Sequence, residues 1–441
     1  MPFIANTDAD RKAMLDTIGV KSVDELFSDI PAVNRFPQLG LDKGLSELEV
    51  MREIESLAAR NLSANNTAWF LGAGAYNHFI PAAVAALASR GEFLTAYTPY
   101  QPEVSQGTLQ AIFEYQSMAG QLLGMDAVNA SHYDGSTALA EAILMAYNLS
   151  ADRHRILLPA ALHPEYKEVL RTYFEAFEVE LVEYGGTPKD GLKLLDDKTA
   201  CLVAAYPDFE GRIHELSGVA DAVHAAGGLF IVHADPIMLG LFKSPGELGA
   251  DIVTAEGQAL GNAMNYGGPF LGMMGVTQKL VRKMPGRLVG QTVDGQGRRG
   301  FVLTLSAREQ HIRREKAVSN ICSNQGLVML MTTIYLELLG KNGLKQVAEL
   351  CWHKAHYAAK ELGKIPGCKV ADGLFFKEFV VQTPRPAAEI AEQLERRGIV
   401  PGLPLVRYYK ERSHELLVCV TEMATKAQID LLASALKEVT A

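Results

Sequence analysis

Segments with the periodicity of helices alternate with short apolar segments over residues 61–310. The helical segments include STALAEAILMAYNL and HPEYKEVLRTYFEAF, and the apolar segments between them include RILLPA, TACLVAAYP and LFIVHAD. Strands that alternate with helices of this length form crossover units, which place parallel strands in one sheet and cover both of its faces. The sequence therefore predicts an α/β domain with a mostly parallel sheet, whose ligands bind at the carboxyl ends of the strands.

The regions on either side of this domain have different patterns. Residues 1–60 contain two S-x-x-E capping-box sequences, at Ser22 and Ser46, with prolines and glycines between them. This pattern predicts an arm of short helices, which we expect to pack on the main domain or on another subunit. Residues 311–441 begin with a long helical pattern and continue with strands and helices, which predicts a connecting helix and a small carboxyl-terminal α/β domain.

The composition argues against several classes of protein. The formal net charge of −9 argues against a nucleic-acid-binding surface. The five cysteines are scattered and form no C-x-x-C pair, as is typical of proteins in a reducing compartment. No apolar run is long enough to predict a membrane span, and the first residues lack the apolar core of a signal peptide. We therefore expect a soluble cytoplasmic protein that binds neither nucleic acid nor membranes.

Two features of the alternating region are typical of a binding site for pyridoxal phosphate. The turn Gly135-Ser136-Thr137 opens a helix, where N–H groups, hydroxyls and the helix dipole can hold a phosphate. Asp235 ends an apolar strand, where an acid can hold the protonated ring nitrogen of the cofactor. Each feature also has a structural interpretation, since Ser136 or Thr137 can cap the helix and Asp235 can form a turn. Their order along the chain favours the cofactor site.

The lysine that such a site needs is missing. Pyridoxal-phosphate enzymes hold the cofactor through a lysine amine, and no lysine occurs between Lys243 and Lys279. An enzyme that used Lys243 instead would carry its amine before the wrong strand. The chain therefore has two of the three parts of the predicted cofactor site and lacks the reactive one.

Two further segments have an unusual composition. Residues 95–107, TAYTPYQPEVSQG, combine tyrosines, amides and an acid with two prolines, which fits either a rigid surface loop or the wall of a substrate channel. Residues 284–320 carry Arg287, Arg299 and Arg308, and fit either a solvated segment or an anchored loop whose arginines hold a carboxylate. The histidines show no metal-ligand spacing and LGAGAYNHF lacks the full dinucleotide-binding pattern, so we expect no metal site and no dinucleotide site.

Four segments of the chain resemble the glycine decarboxylase (P-protein) family of the glycine cleavage system. They are YTPYQPEVSQGTLQAIFEYQ, YDGSTALAEA, the stretch from MPGRLVGQ to REKAVSNIC, and LLVCVTEMATKAQIDLL. The resemblance covers essentially the whole chain and is to the first of two subunits, equivalent to the amino-terminal half of the single-chain form. It implies a pyridoxal-phosphate-dependent transferase fold of the aspartate aminotransferase type, fold type I, with the large domain at residues 61–310 and the small one at 311–441.

The resemblance also accounts for the missing lysine. The other half of the enzyme carries D-x-x-H-x-N-x-H-K followed by glycines and a proline, and the corresponding stretch here begins at Asp251. By counting, Ala259 takes the place of the lysine and Gln258 that of the preceding histidine. Because alanine has no amine, the chain cannot form a Schiff base there. The resemblance therefore makes the predicted cofactor site a vestigial one, consisting of Gly135, Ser136, Thr137 and Asp235.

The activity that the resemblance implies requires a partner. With a lysine-bearing subunit 2, which holds the pyridoxal phosphate covalently, the chain would take part in the decarboxylation of glycine. The remaining aminomethyl group would pass to the lipoyl arm of H-protein. We expect Tyr97, Tyr100, Gln101 and Glu103 to lie in the partner's site or in the substrate channel. The alternative is a non-catalytic scaffold that only stabilises its partner.

Overall fold

The computed structural model describes residues 5–35, 37–150, 152–322 and 325–441, and the chain divides into two units, Met1–Asn61 and Leu62–Ala441. The helices are α1 Asp8–Ile18, α2 Glu47–Ala58, α3 Ala82–Ala88, α4 Gly91–Leu94, α5 Gln106–Leu123, α6 Gly135–Leu149, α7 Pro164–Phe174, α8 Pro188–Gly191, α9 Val219–Ala225, α10 Gln310–Arg313, α11 Gly326–Leu362, α12 Ala387–Glu395 and α13 Lys426–Thr440. The strands are β1 Ala68–Trp69, β2 Ala127–Val128, β3 Arg155–Pro159, β4 Glu180–Tyr184, β5 Thr199–Tyr206, β6 Leu229–Ala234, β7 Ile252–Glu256, β8 Gly272–Val276, β9 Leu288–Val293, β10 Arg299–Thr304, β11 Lys369–Val370, β12 Glu378–Gln382, β13 Ile399–Val400, β14 Leu403–Pro404 and β15 Glu415–Cys419.

The amino-terminal unit contains one of the two predicted capping boxes. At the start of α2, the Ser46 hydroxyl accepts the N–H of Glu49, and the Glu49 carboxylate accepts the N–H of Ser46 at 2.8 Å, as predicted. The box predicted at Ser22 does not form. The residues after Ser22 form a 3₁₀ turn in which the N–H of Glu25 bonds to the Ser22 carbonyl, and the Glu25 carboxylate accepts the N–H of Lys21.

The second unit is built on a seven-stranded sheet with the strand order β2–β8–β7–β6–β5–β3–β4. The five strands from β7 to β4 are parallel, whereas β8 is antiparallel to both β7 and β2. Successive residues of β6 face opposite cores: Phe230 and Val232 pack with residues of α5 and α11, and Ile231 packs with residues of α6. The mostly parallel sheet covered on both faces is confirmed.

The carboxyl-terminal region differs from the prediction at the connecting helix. The helical pattern begins at His311, but Arg314 adopts a φ of 51°, and the long helix α11 begins only at Gly326. Within α11, Gly340 has a φ of 55° and a ψ of −173°, a conformation open to glycine, and there the helical geometry is interrupted. Strands β11, β12, β15 and β14 then form a four-stranded antiparallel sheet, whose core is shared with α12 and α13.

Strands β9 and β10 were not predicted, and neither were the two-residue strands β1, β2, β13 and β14. Strands β9 and β10 pair along six residues each as an antiparallel hairpin, within the segment 284–320 that shows little periodicity. The remaining two-stranded sheet joins β1 and β13 in parallel. Among the helices of the described residues, none has the length and apolar character needed to cross a membrane.

Candidate functional site

The three parts of the predicted cofactor site lie together at the carboxyl edge of the parallel sheet. The N–H of Gly135, at the start of α6, donates to Oε2 of Glu256, the last residue of β7, at 2.8 Å. Asp235 follows β6, and Ala259 lies in the turn after β7 and is 2% exposed. Asp235, Glu256 and Ala259 line the same cavity of about 70 Å³. Crossover topology accounts for this convergence, because parallel strands end at one edge.

Two acidic side chains of the chain itself, Asp134 and Glu256, accept hydrogen bonds from the N–H groups at the amino terminus of α6. Its N-cap is Asp134, whose Oδ1 accepts the N–H of Thr137 at 2.8 Å and the hydroxyl of Ser136 at 2.7 Å. The structural interpretation of the sequence proposed Ser136 or Thr137 as the helix cap. The cap is Asp134 instead. The N–H of Gly135 is held by Glu256. A phosphate bound at this helix terminus would need the same donors.

Glu256 is buried among backbone donors. Besides the N–H of Gly135, its carboxyl group accepts the N–H of Gln258 at 2.9 Å and that of Leu271 at 3.1 Å. Burial raises the pKa of Glu256 to about 8, against the opposing effect of these donors. Glu256 also packs closely against the turn, since a Cβ atom on Gly135 would lie 2.9 Å from the Cβ of Glu256.

We expect the free energy of unfolding to decrease as the pH rises from about 6.5 to 8. The pKa of Glu256 is about 8 in the folded chain against an ordinary 4.5. The folded state therefore retains a proton that the unfolded state has lost. This contribution is complete below about pH 4.5 and disappears as the pH passes 8, with a slope of up to about 1.4 kcal/mol per pH unit. Glu141, whose pKa burial raises to about 7, adds a slope of the same sign.

Urea-induced unfolding across this pH range measures the effect. Glu256→Gln keeps the size of the side chain and should reduce the slope of the free energy of unfolding against pH. Glu141→Gln should reduce this slope only in the lower part of the pH range, near pH 7. Burial lowers the pKa values of His132 and His233 to about 3 and about 4, so these residues add a slope of the opposite sign. That slope fades as the pH rises above the ordinary histidine pKa of about 6.5. If the slope is unchanged when both glutamine substitutions are made, Glu256 and Glu141 are not its cause.

Asp235 has a cationic partner within the chain. Nζ of Lys377, the residue before β12, lies 2.7 Å from Oδ2 of Asp235, and the two side chains are 1% and 7% exposed. Burial by itself would raise the pKa of Asp235 and lower that of Lys377. Their mutual attraction more than offsets this, so the pKa of Asp235 is lowered and that of Lys377 is raised. Oδ1 of Asp235 also accepts the N–H of Ile237 at 2.9 Å, so the turn interpretation holds as well.

A chain of hydrogen bonds continues from Lys377. Its Nζ lies 3.2 Å from Nε2 of His78, and Nδ1 of His78 lies 2.7 Å from Oε2 of Glu422. Because an ammonium group can only donate, Nε2 accepts and Nδ1 carries the proton that it donates to Glu422. Cys351 lies near the same carboxylate, and His78, Cys351 and Glu422 are spaced closely enough to hold a metal ion. In this arrangement, however, the Nδ1 atom facing Glu422 is protonated and hydrogen-bonded, so it is not a free ligand.

Several contacts around the site could not be predicted from the sequence, and two of the residues that make them, Tyr76 and Glu378, were not singled out there. Gln258, the residue at the place of the histidine, bonds to both backbone groups of Tyr76, at 2.8 and 3.0 Å. The Tyr76 hydroxyl donates to Glu378 at 2.7 Å, and the Tyr76 ring lies 3.5 Å from Nζ of Lys377. The glycine-containing segment LGAGAYNHF therefore forms one wall of the site. Lys243, in contrast, is exposed and does not line the cavity.

The side chains expected in a partner's site lie apart from this cavity. None of them lines it, and all are exposed; they are Tyr97, Tyr100, Gln101 and Glu103. The exposed fractions of Tyr97 and Tyr100 are 86% and 56%. Tyr97 borders a second cavity of about 230 Å³ together with Ser131 and Arg287. The Tyr100 ring packs edge-on against His311. Nothing in these contacts tests their role toward a partner, which stays a prediction.

The other arginines of the 284–320 segment have contacts within the chain. The guanidinium group of Arg308 donates to the carbonyl oxygens of Leu305 and Gly286, at 3.0 and 2.9 Å. Arg299 is exposed, with its guanidinium group over the Phe301 ring. Arg308 therefore anchors the segment through backbone contacts rather than through a carboxylate.

Comparisons with known proteins agree with this fold. Residues 1–436 match the family model of the glycine cleavage system P-protein. The chain is 52% identical, over the whole of both chains, to the probable glycine dehydrogenase (decarboxylating) subunit 1 of Thermomicrobium roseum, a name that implies a second subunit for that protein. It is also 41% identical over its whole length to a crystal structure of glycine decarboxylase (P-protein) in inhibitor-bound form, with a TM-score of 0.90.

A more distant structure shares the fold alone. The sphingosine-1-phosphate lyase of Burkholderia pseudomallei is 15% identical, with a TM-score of 0.66, and the match covers 93% of this chain and 94% of that one. These neighbours have fold type I of the pyridoxal-phosphate-dependent enzymes, as predicted. The chain therefore belongs to the glycine cleavage system P-protein family, and within it to the proteins of the subunit 1 type.

Proposed function

We propose that the chain acts in glycine decarboxylation as the half without a lysine, and that a lysine-bearing partner subunit holds the pyridoxal phosphate. One observation carries the proposal: a buried alanine, Ala259, lies in the turn after β7, where the amine would be needed. The residues present do not fit the cofactor in this chain. The N–H of Gly135 is bonded to Glu256 and Asp235 is paired with Lys377. The reaction on glycine then takes place in the partner's site, and H-protein receives the aminomethyl group.

We further propose that the Tyr97–Glu103 segment contributes to the partner's site or to the substrate channel. Contacts on the inner side of the segment hold it in place, because Pro99 is buried. The Gln106 side chain bonds to the carbonyl oxygens of Pro102 and Phe301, at 2.8 and 2.9 Å. The polar side chains of Tyr97 and Tyr100 are presented outward on this fixed support. Such a surface favours contact with a partner's site over the scaffold alternative.

Reconstitution tests the proposal. The purified chain, supplied with pyridoxal phosphate, glycine and H-protein, should release no glycine-dependent carbon dioxide. Activity should appear when the lysine-bearing subunit is added. A partner whose cofactor lysine has been replaced should give no activity in the same mixture, which controls for contaminating enzyme. Turnover by this chain alone would refute the proposal.

A further inference from the structure

We propose that two side chains of this chain, Glu256 and Lys377, close its predicted cofactor site from both ends. Glu256 fills the place of a phosphate at the start of α6, and Lys377 fills the place of a ring nitrogen at Asp235. This inference rests on the proposed function, in which the partner holds the cofactor, and it adds how binding to this chain is prevented. It follows that a lysine introduced at Ala259 is not sufficient to restore binding.

At the phosphate end of the site, which is the start of α6, both hydrogen bonds and close packing oppose the binding of a phosphate. The Gly135 N–H donates to Glu256 and the Thr137 N–H donates to Asp134, each at 2.8 Å. A phosphate would have to displace both acceptors and would lie against two carboxyl groups. A Cβ atom on Gly135 would already meet the Tyr166 hydroxyl at 2.7 Å and Cε1 of His233 at 3.1 Å. The turn is therefore closely packed on this side, and a phosphate could reach the Gly135 N–H only if Glu256 moved.

The ring-nitrogen end is closed by charge. Asp235 would hold a protonated ring nitrogen, but its Oδ2 lies 2.7 Å from the ammonium group of Lys377. A second cation at this carboxylate would be repelled by the first. Lys377 cannot simply turn away, because its ammonium group also lies 3.2 Å from His78 and 3.5 Å from the centre of the Tyr76 ring. Displacing it would break a buried ion pair, which is strongly destabilising unless the incoming group restores the charge.

The space between the two ends is small as well. The cavity bounded by Asp235, Glu256 and Ala259 has a volume of about 70 Å³, whereas pockets for small molecules usually measure roughly 300–1,000 Å³. Shortening Glu256 would enlarge one end of this cavity, and replacing Lys377 by an uncharged side chain would free the carboxylate at the other. The two closures use different residues and different physical effects, so opening one leaves the other in place.

A graded set of variants tests the inference in the assembled complex. Ala259→Lys supplies the amine, Ala259→Lys/Glu256→Ser also opens the phosphate end, and Ala259→Lys/Glu256→Ser/Lys377→Met opens both. Each complex is incubated with pyridoxal phosphate and reduced with borohydride, the subunits are separated, and the mass of this chain is measured. We expect no cofactor adduct on the Ala259→Lys chain and an adduct at position 259 in the triple variant. An equal adduct in both, or a folded triple variant without an adduct, would overturn the inference.

Matched controls separate opening of the site from loss of structure. Glu256→Gln in place of Glu256→Ser keeps the phosphate end filled, and Lys377→Arg in place of Lys377→Met keeps the cation, so either should suppress the adduct. If the triple variant does not assemble, thermal unfolding of the double variant decides. Inorganic phosphate should raise its melting temperature but not that of Ala259→Lys, and equal responses would contradict the inference. An adduct on the unchanged chain would instead refute the proposed function.

Discussion

Replacing Lys377 by methionine is expected to lower the free energy of unfolding by about 3–5 kcal/mol, because it leaves a buried carboxylate without its cation. The carboxylate is that of Asp235, and the side chains of the pair are 7% and 1% exposed. Methionine fills a similar volume, so the loss comes from the missing charge and not from a cavity. Urea-induced unfolding of the variant and the parent at pH 7 measures the difference.

Two controls locate the cause of this loss. Adding Asp235→Leu to Lys377→Met removes the unpaired charge and should recover part of the stability, whereas independent sites would give additive losses. Lys364→Met removes a lysine that pairs with Glu361 and whose own side chain is 58% exposed. This change should cost at most about 1 kcal/mol. A Lys377→Met chain as stable as the parent would show that the pair is not charged in the folded state.

Replacing Tyr97 or Tyr100 by phenylalanine is expected to reduce glycine decarboxylation by the assembled enzyme about tenfold to a hundredfold. Each change removes one hydroxyl and almost no volume. Loss of a hydrogen bond used in the reaction costs on the order of 1–3 kcal/mol, which corresponds to that decrease in rate. Both tyrosines are exposed in this chain, so folding and assembly should persist. The rates of carbon dioxide release at saturating partner subunit measure the effect.

The control for this prediction is a tyrosine outside the segment. Tyr147 of α6 packs edge-on against Phe177, and Tyr147→Phe should leave the rate unchanged. If Tyr97→Phe and Tyr100→Phe both assemble and turn over like the parent, the segment is structural. The scaffold alternative would then be favoured.

The sheet and its covering helices were predictable because their signals are local. Strand β5 is buried at every position and apolar after its first residue, Thr199, as is typical of an internal parallel strand. The hairpin of β9 and β10 was missed although its turn begins with Asp294-Gly295, a frequent hairpin signal. Half of the residues in the two strands are large and apolar, but they do not alternate regularly with polar ones, and β9 is buried only at its start.

The sequence predicted some residues of the site but not the side chains that close it. Asp235, the turn at Gly135 and the absence of a lysine at Ala259 follow from the order of the elements. Lys377 could not be predicted, because its pairing with Asp235 depends on how the carboxyl-terminal region packs on the sheet. Glu256 did carry a signal: an acid at the end of the apolar strand DIVTAE is costly to bury unless it finds hydrogen-bond donors. It finds three of them.

The location of the cofactor in the assembled enzyme tests the proposed division of roles most directly. The parent chain and its lysine-bearing partner are combined with pyridoxal phosphate and reduced with labelled borohydride, and the two subunits are separated under denaturing conditions. All specific label should be on the partner, at its lysine, and none on this chain, where Ala259 offers no amine. Label on a lysine of this chain, in proportion to activity, would contradict the proposal.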